Sequence, residues 1–321
     1  MVKYMRKRKN KKQVRLIIGL SICLLLIMTA GYAAFNANLT LLVKANIYNI
    51  KDKCFTTADN GDNAVIIIDY DQACGSDVVI PEKIKGKTVT TIGDTAWNSY
   101  KVFNHKGLTS VVIPDTVTYI GSNAFWGNNI SNVKFGNRLE VIKTEAFASN
   151  SLKQLSFPPS LTYIGTGAFY NNYLTSLPAL DNINYESGAF ALNSITGNEA
   201  FVYGRKSDGT IDYTTLNSYA GRSPSNFVLP GTIKTIVYYA LRGLNVETLT
   251  LPAGIETLEA DSLMQLKATT LNIPSSIKNI AKYAINESAN VKTINIDRKI
   301  NTISGAPWGA KNATVNWTGT N

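Results

Sequence analysis

The sequence predicts a β-dominated repeat solenoid that is preceded by an apolar helix at the N-terminus. A phrase of 22 residues recurs along most of the chain. Proline, glycine and asparagine recur at fixed places within that phrase. A basic run followed by twenty uncharged residues opens the chain. The first two observations predict the solenoid, and the third predicts a transmembrane or signal helix.

The repeat is clearest in three consecutive segments. They are LTSVVIPDTVTYIGSNAFW at 108–126, ISNVKFGNRLEVIKTEAFA at 130–148 and LKQLSFPPSLTYIGTGAFY at 152–170. Their common form is L-x-x-V-x-I-P-x-x-V-x-x-I-G-x-x-A-F. One such unit buries too few apolar side chains to offset the entropy lost when it is ordered, so it must stack on its neighbours.

Each part of the phrase predicts a local structure. L-x-x-V-x-I alternates apolar residues and predicts a short strand, which the following proline ends because it has no N–H. We expect the Ala-Phe pair to lie in a short helical or irregular turn, where Phe fills the layer between coils. The first Ala-aromatic pair is placed at Ala96-Trp97. Asparagines that follow each alanine by four residues are expected to cap backbone groups and to adopt a left-handed backbone; they are Asn128, Asn150, Asn172 and Asn193.

The repeats and their interruptions divide the chain into seven predicted segments. They are a basic cytoplasmic segment (1–15), a transmembrane or signal helix (16–35), a spacer with a β-hairpin cap (36–77), a first repeat block (78–193), a β insertion (194–225), a second repeat block (226–310) and a terminal strand (311–321). The cap and the terminal strand are expected because an open solenoid end exposes core.

Most of the excess positive charge lies at the N-terminus. The chain has 32 basic and 22 acidic residues, and eight of the basic ones fall within 1–15, which leaves 24 against 22 elsewhere. A nucleic-acid-binding protein carries its charge on the folded surface, so this class is excluded. The uncharged run from Leu16 to Phe35 can cross a bilayer, and its basic flank keeps the N-terminus in the cytoplasm. The same run has the features of a cleavable signal peptide, and the sequence leaves both alternatives open.

Cys54 and Cys74 lie in the predicted exported part, where disulfides persist. A bridge between them would clip the predicted cap and stabilise it by about 3 kcal/mol. The sequence contains no CxxC motif and no Cys/His cluster, so neither a metal site nor a cofactor is predicted. His105 is the single histidine. Nucleophile-elbow, zinc-protease and phosphate-loop motifs are missing, so we predict that the protein is not an enzyme.

Two candidate binding surfaces follow from the strand pattern and the aromatic residues. Residues on either side of the central apolar residue of each strand point away from the core, and they form a stripe of small polar groups. Its members are Ser110, Val112, Asn132, Lys134, Gln154, Ser156, Thr248, Thr250, Thr270, Asn272, Thr293 and Asn295. The stripe is either a solvated surface or a contact surface. The second candidate is an aromatic set of possible binding anchors, which alternatively pack between coils: Tyr119, Trp126, Tyr163, Tyr170 and Tyr173.

Three stretches of the chain resemble the BspA-like class of leucine-rich repeats. They are IPDTVTYIGSNAF, IPEKIKGKTVTTIGDTAW and LPAGIETLEADSL, and the resemblance covers 78–310. It implies an α/β horseshoe-like repeat fold in a bacterial or protist surface protein linked to adhesion, without a catalytic motif. The segment GYAAFNANLTLLVKANI is similar to membrane-proximal segments of Gram-positive surface proteins.

The resulting expectation is a binding or adhesion protein on the extracellular face of the bacterial membrane, secreted if the helix is cleaved. Its expected partner is a protein or glycan of a host or a neighbouring cell, and its membrane contact is the N-terminal helix. Two alternatives stay open. One is a structural cell-envelope spacer without a specific ligand, and the other is a secreted glycan-active protein.

Overall fold

The computed structural model describes residues 52–93, 102–222, 224, 227–300 and 302–319. In these residues the predicted repeat solenoid is confirmed. The predicted transmembrane or signal helix at 16–35 lies outside the described residues, and so does the pair Ala96-Trp97. Within the described ranges, no helix has both the length and the apolar character needed to span a bilayer.

Short strands make up most of the regular structure. In chain order they are β1 (Phe55–Asp59), β2 (Ala64–Tyr70), β3 (Asp77–Val79), β4 (Lys83–Ile84), β5 (Lys87–Ile92), β6 (Ser110–Val112), β7 (Tyr119–Ile120), β8 (Asn132–Lys134), β9 (Val141–Ile142), β10 (Tyr163–Ile164), β11 (Asn184–Tyr185), β12 (Phe201–Arg205), β13 (Ile211–Tyr219), β14 (Thr235–Ile236), β15 (Thr248–Thr250), β16 (Thr257–Leu258), β17 (Thr270–Ile273), β18 (Asn279–Ile280), β19 (Thr293–Ile296) and β20 (Thr314–Trp317).

The coils contribute short strands to two rows, and the coil that begins at 152 has a strand in the second row alone. The L-x-x-V-x-I segments form the first row, as the parallel sheets β3-β6-β8 and β15-β17-β19-β20. The mid-repeat segments form the second row, which includes the parallel run β7-β9-β10-β11. Tyr119 pairs with Val141 and Val141 pairs with Tyr163, so neighbouring strands are 22 residues apart. One phrase of the sequence is therefore one coil of the solenoid.

Of the two alternatives for the Ala-Phe segment, the structure shows the irregular turn and not the short helical turn. In these turns, hydrogen bonds between coils alternate with bonds inside the turn. The N–H of Phe147 donates to the carbonyl of Ala168 in the next coil, whereas the N–H of Ala148 donates to the carbonyl of Glu145 in the same turn. Glu145 and Ser149 flank Phe147 with left-handed backbones, at φ of 52° and 55°. An α-helix needs right-handed residues and bonds to the fourth preceding carbonyl, and neither condition is met here. The described part of the chain is therefore a β-solenoid with almost no helix, and not an α/β horseshoe.

The phenylalanines of the repeat stack directly on one another in the core. Neighbouring ring centroids are 4.8, 4.9, 5.7 and 5.7 Å apart, in the order Phe103, Phe125, Phe147, Phe169 and Phe190. All five side chains are fully buried. The sequence analysis missed Phe103, whose N–H bonds to the carbonyl of Ala124 just as that of Phe125 bonds to Ala146. In the second block Leu241, Leu263 and Ile285 are buried at the corresponding position.

The repeated asparagines cap the backbones of neighbouring coils. The Oδ1 of Asn128 accepts from the N–H of Leu108 at 3.0 Å, and its Nδ2 donates to the carbonyls of Phe103 and Phe125 at 2.7 and 2.9 Å. The predicted capping role is confirmed. The predicted left-handed backbone is wrong for the asparagines themselves, because it falls on the residue before each of them: Gly127, Ser149, Asn171 and Leu192.

A disulfide-linked hairpin begins the described solenoid. β1 and β2 pair antiparallel, and β2 then pairs parallel with β5 of the stack. The predicted disulfide between Cys54 and Cys74 is present, with 6.0 Å between the two Cα atoms. It joins the start of β1 to the 3-10 turn Gln72–Cys74 that follows β2.

A second hairpin lies within the predicted insertion at 194–225. β12 and β13 pair antiparallel, and the last part of β13 joins the stack, where Thr215 and Leu216 pair parallel with Thr235 and Ile236. The N–H of Tyr219 bonds to the carbonyl of Ala240, in the pattern of the phenylalanine positions. One hairpin strand therefore also completes a coil.

Candidate functional site

The predicted polar stripe lies on the outer face of the first strand row. Asn132, Lys134, Thr248 and Thr250 are exposed, while Thr270 and Asn272 are half-buried. Gln154 is also exposed but lies outside the strands. Their intervening neighbours Leu249 and Leu271 are fully buried. The alternation of strand side chains thus produces an outward polar face, which we call the sheet face.

Asparagine amides connect the coils along the sheet face of the second block. Asn272 donates to the hydroxyl of Thr250 at 3.1 Å, Asn295 donates to the Oδ1 of Asn272 at 2.9 Å, and Asn316 donates to the Oδ1 of Asn295 at 3.0 Å. These bonds satisfy part of the amide hydrogen-bonding capacity within the protein. They also hold the side chains in a regular row along the solenoid.

The structure divides the predicted aromatic set between two parts of the coil. Tyr119 and Tyr163 lie in β7 and β10 of the second strand row. Trp126, Tyr170 and Tyr173 lie in the turns that follow the phenylalanine positions. The five residues therefore do not form one cluster.

Tyr163 anchors a polar group on the second strand row. Its hydroxyl donates to the carboxylate of Glu186, which also accepts from the N–H of Thr166 at 3.1 Å and from its hydroxyl at 2.6 Å. Lys143 Nζ lies 4.9 Å from the centre of the Tyr163 ring. Burial alone would raise the pKa of Glu186, but the hydrogen bonds from Thr166 and Tyr163 hold that pKa below its ordinary value.

These contacts predict an acid-sensitive contribution to stability. The pKa of Glu186 is lower in the folded protein than in the unfolded chain, where it is about 4.3. The ionised carboxylate therefore stabilises the fold above the unfolded pKa, and this stabilisation is lost as the pH falls through the folded pKa. Glu186→Gln should lower the free energy of unfolding by about 1 kcal/mol at pH 7 and by much less near pH 3. Urea titrations at both pH values measure the difference. Exposed Glu140→Gln is the control, and an equal loss at both pH values would contradict the assignment.

The turns of the first block bring together the aromatic side chains of Trp126, Tyr170 and Tyr173, and we call this surface the turn face. Tyr170 is only 6% exposed and packs with Ala148 and Ala191, while Trp126 is half-buried against this cluster. Of the two predicted alternatives, Tyr170 thus packs between coils and is not an exposed binding anchor. Tyr173 is 48% exposed. Only Trp126 and Tyr173 of this group therefore offer ring surface to a partner.

Two arginines complete the turn face, and the sequence analysis missed both. Arg242 Nη1 lies 2.8 Å from Glu145 Oε1, and its guanidinium lies 4.1 Å from the centre of the Tyr170 ring. Arg222 lies 4.7 Å from the centre of the Tyr173 ring and donates to the carbonyl of Asn172 at 2.6 Å. Burial alone would lower the pKa of Arg242, but Tyr170 and Glu145 hold that pKa above its ordinary value.

Arg242 reaches Glu145 across the turns of several intervening coils. The coil at the end of β13 lacks the turn found in its two neighbours. A Cβ atom added to Gly188 would lie 2.6 Å from the Cβ of Tyr239, which shows how closely the turns on either side of that coil approach. Arg242 and Glu145 are 97 positions apart in the chain, so no local sequence signal indicates the pair.

His105 borders the turn face at its N-terminal side. Its ring lies edge-on to Trp126 with 4.5 Å between centroids, and its Nδ1 lies 3.1 Å from the carbonyl oxygen of Gly127. In the described ranges, no group of three or more His, Cys, Asp or Glu side chains is arranged to hold a metal ion. The turn face thus offers aromatic rings, guanidinium groups and an imidazole for contact with a partner.

Comparisons with known proteins agree with this architecture. The model of the BspA-type leucine-rich repeat region matches six copies of the repeat, over residues 98–198 and 214–308. The interval between the two matches contains β12 and the hairpin turn. No curated protein matches the chain.

Solved structures of other repeat proteins resemble the chain at low sequence identity. A leucine-rich repeat protein from Eubacterium ventriosum is 21% identical with a TM-score of 0.55, and the match covers 82% of this chain and 76% of that one. A leucine-rich repeat protein from Bacteroides ovatus is 18% identical with a TM-score of 0.47, over 82% and 70% of the two chains. The pneumococcal vaccine antigen PcpA is 19% identical with a TM-score of 0.42, over 83% and 86%. At these identities the likeness concerns the fold alone.

The family model covers more than half of the chain. The chain therefore belongs to the family of BspA-type leucine-rich repeat proteins.

Proposed function

We propose that the protein is a surface adhesion protein that binds a protein or glycan of a host or a neighbouring cell through the turn face. The observation that carries this proposal is the set of partly exposed rings, each held by a second aromatic or cationic group. Trp126 is held by His105, and Tyr173 is held by Arg222. Tryptophan, tyrosine and arginine are the residues that most often dominate binding energy at interfaces.

The turn face is also held in place before any partner arrives. Arg222 donates to the backbone carbonyls of Asn172 and Leu192, so its guanidinium is fixed beside Tyr173. Tyr170 is buried in the turn face and is fixed by Arg242. A surface whose side chains are ordered in the free protein loses less conformational entropy on binding.

The location outside the cell belongs to the same proposal. The segment 16–35 would anchor the chain in the membrane or direct its secretion, with the basic residues of 1–15 on the cytoplasmic side. N-terminal sequencing of the protein from its native cell separates these two outcomes. An intact N-terminus supports the anchor, and a start after residue 30 supports secretion. Recovery of the intact chain from the cytoplasm would contradict both.

Binding to a panel of host matrix proteins and glycans tests the proposal. The full chain should bind at least one matrix protein or glycan for which the double variant Trp126→Ala/Tyr173→Ala lowers the affinity at least tenfold, or by about 1.4 kcal/mol. Tyr283→Ala removes a ring of similar exposure, 50%, from a different coil and should leave affinity unchanged. Surface plasmon resonance measures the affinities, and circular dichroism checks that each variant is folded.

A structural spacer in the cell envelope is the second candidate function. It is favoured by the sheet face, where Asn272, Asn295 and Asn316 bond to one another and form a regular solvated surface. A spacer requires length and stability but no ligand. Two results together would favour the spacer over adhesion. The full chain would bind no member of the panel, and cells that carry the Trp126→Ala/Tyr173→Ala variant would attach as well as cells that carry the parent protein.

A further inference from the structure

The hairpin of β12 and β13 carries a second group of exposed apolar side chains. Ile211 and Tyr213 are 43% and 56% exposed. The Tyr213 ring contacts that of Tyr203 on the other strand, with 5.0 Å between centroids and 62° between planes. Arg205 pairs with Ile211 across the strands. We call the group of Tyr203, Arg205, Ile211 and Tyr213 the hairpin face.

The hairpin face is attached to the solenoid at defined points. The Tyr185 hydroxyl donates to the carbonyl of Tyr203 at 3.0 Å. Arg205 stacks 5.2 Å from the centre of the Tyr185 ring and donates to the carbonyls of Leu180 and Gly209 at 3.0 and 2.9 Å. The projecting part of the hairpin is thus held against β11, and its rings keep a defined orientation.

The projecting strand and turn are additions to the repeat. The family match ends at residue 198 and resumes at 214, so the repeat model does not include 199–213. The solenoid needs only the last part of β13, which pairs with β14. Stacking of the coils therefore does not require Ile211 or Tyr213 to be exposed, and their exposure calls for another explanation.

Hydrogen-bonding groups of balanced charge surround these apolar side chains. The cations Arg205 and Lys206 are matched in number by the carboxylates of Asp208 and Asp212. Asp212 accepts from the hydroxyls of Thr214 and Thr215, both at 2.7 Å, while Asp208 uses its Oδ1 for the N–H and hydroxyl of Thr210 at 2.9 and 2.6 Å. Asp208 is exposed, so its carboxylate is accessible to a further hydrogen-bond donor.

We propose that the hairpin face is a binding site for a neutral oligosaccharide. The C–H face of a sugar ring packs on exposed aromatic and aliphatic side chains, and its hydroxyls donate to carboxylates and accept from guanidinium groups. Four side chains match one or two sugar rings in size, whereas a stable protein interface uses about 20 to 30 residues on each side. The balanced local charge favours a neutral sugar over an anionic polymer.

This site is separate from the turn face, so the two proposals are tested by different variants. The probe is an oligosaccharide array that holds neutral glucose, galactose, mannose and N-acetylglucosamine oligomers together with sulfated oligomers. The full chain should bind at least one neutral oligomer, and sulfated analogues should bind no better. Tyr213→Ala should weaken this binding at least tenfold and Asp208→Asn several-fold. Trp126→Ala/Tyr173→Ala and Tyr283→Ala should both leave it unchanged.

Three results would overturn the assignment. The first is a lack of binding to every neutral oligomer, and the second is tighter binding to the sulfated ones. The third is neutral binding that Tyr213→Ala does not change while circular dichroism shows that variant to be folded. Loss of a protein partner, but of no sugar, in Tyr213→Ala would assign the hairpin face to a protein and likewise overturn the proposal.

Discussion

Asn172→Ala should lower the free energy of unfolding by about 3 to 5 kcal/mol, because it leaves several buried backbone groups without partners. The Asn172 side chain is fully buried. Its Oδ1 accepts from the N–H of Leu152 at 3.1 Å, and its Nδ2 donates to the carbonyls of Phe147 and Phe169 at 2.9 and 3.2 Å. No water enters a dry core to replace these bonds without disturbing the packing.

Chemical denaturation of the variant and the parent measures this loss. Asn198→Ala is the matched control, because Asn198 is exposed and lies outside the buried row of asparagines. The control should change stability by less than about 0.5 kcal/mol. A loss in Asn172→Ala that is no larger than that of the control would show that the buried amides do not hold the coils together.

Phe147→Ala should cost about 3 to 5 kcal/mol through the cavity it leaves at the centre of the stack. The Phe147 ring lies between those of Phe125 and Phe169, with centroids 4.9 and 5.7 Å away, and also contacts Phe135. Removal of one ring deprives both neighbouring coils of packing at the same time. The expected result is a lower denaturation midpoint together with increased hydrogen exchange at 125 and 169.

Phe147→Leu provides the control within the same position. The second block of this chain already places Leu241 and Leu263 at the corresponding sites, fully or almost fully buried. The leucine variant should therefore lose only about 1 kcal/mol. Equal losses for alanine and leucine would mean that ring stacking, and not filled volume, determines the stability of the row.

The sequence predicted the periodic parts of the structure because each of them depends on residues of a single phrase. In the first block the buried phenylalanine and the capping asparagine recur together, so one physical interpretation applies to each of its coils. Phe103 was missed because the segment between the first two repeats is longer than the others. The pattern of apolar residues did not decide between helical and irregular turns, because it does not reveal that every second hydrogen bond of the turn runs to the next coil.

The positions of the candidate binding residues depend on contacts between coils, and the sequence of a single repeat does not contain this information. Tyr163 and Tyr170 belong to the same repeat, yet one lies in a strand and the other is buried in a turn. Arg242 meets Glu145 across 97 positions of the chain, and the coil at the end of β13, which lies between them, lacks the turn found in its neighbours. Such contacts depend on an irregular coil, and a periodic pattern cannot predict them.

Residues 22 positions apart occupy equivalent places in adjacent coils. Spin labels at cysteines introduced for Thr248 and Thr270, in a Cys23→Ser background, test this stacking, since the exposed Thr248 and the half-buried Thr270 are paired in β15 and β17. Adjacent strands are about 4.8 Å apart, so the labels should give strong dipolar broadening, whereas labels at Thr248 and Glu259, half a coil apart, should give much less. Equal broadening in both pairs, or none between Thr248 and Thr270, would contradict the stacked-coil account.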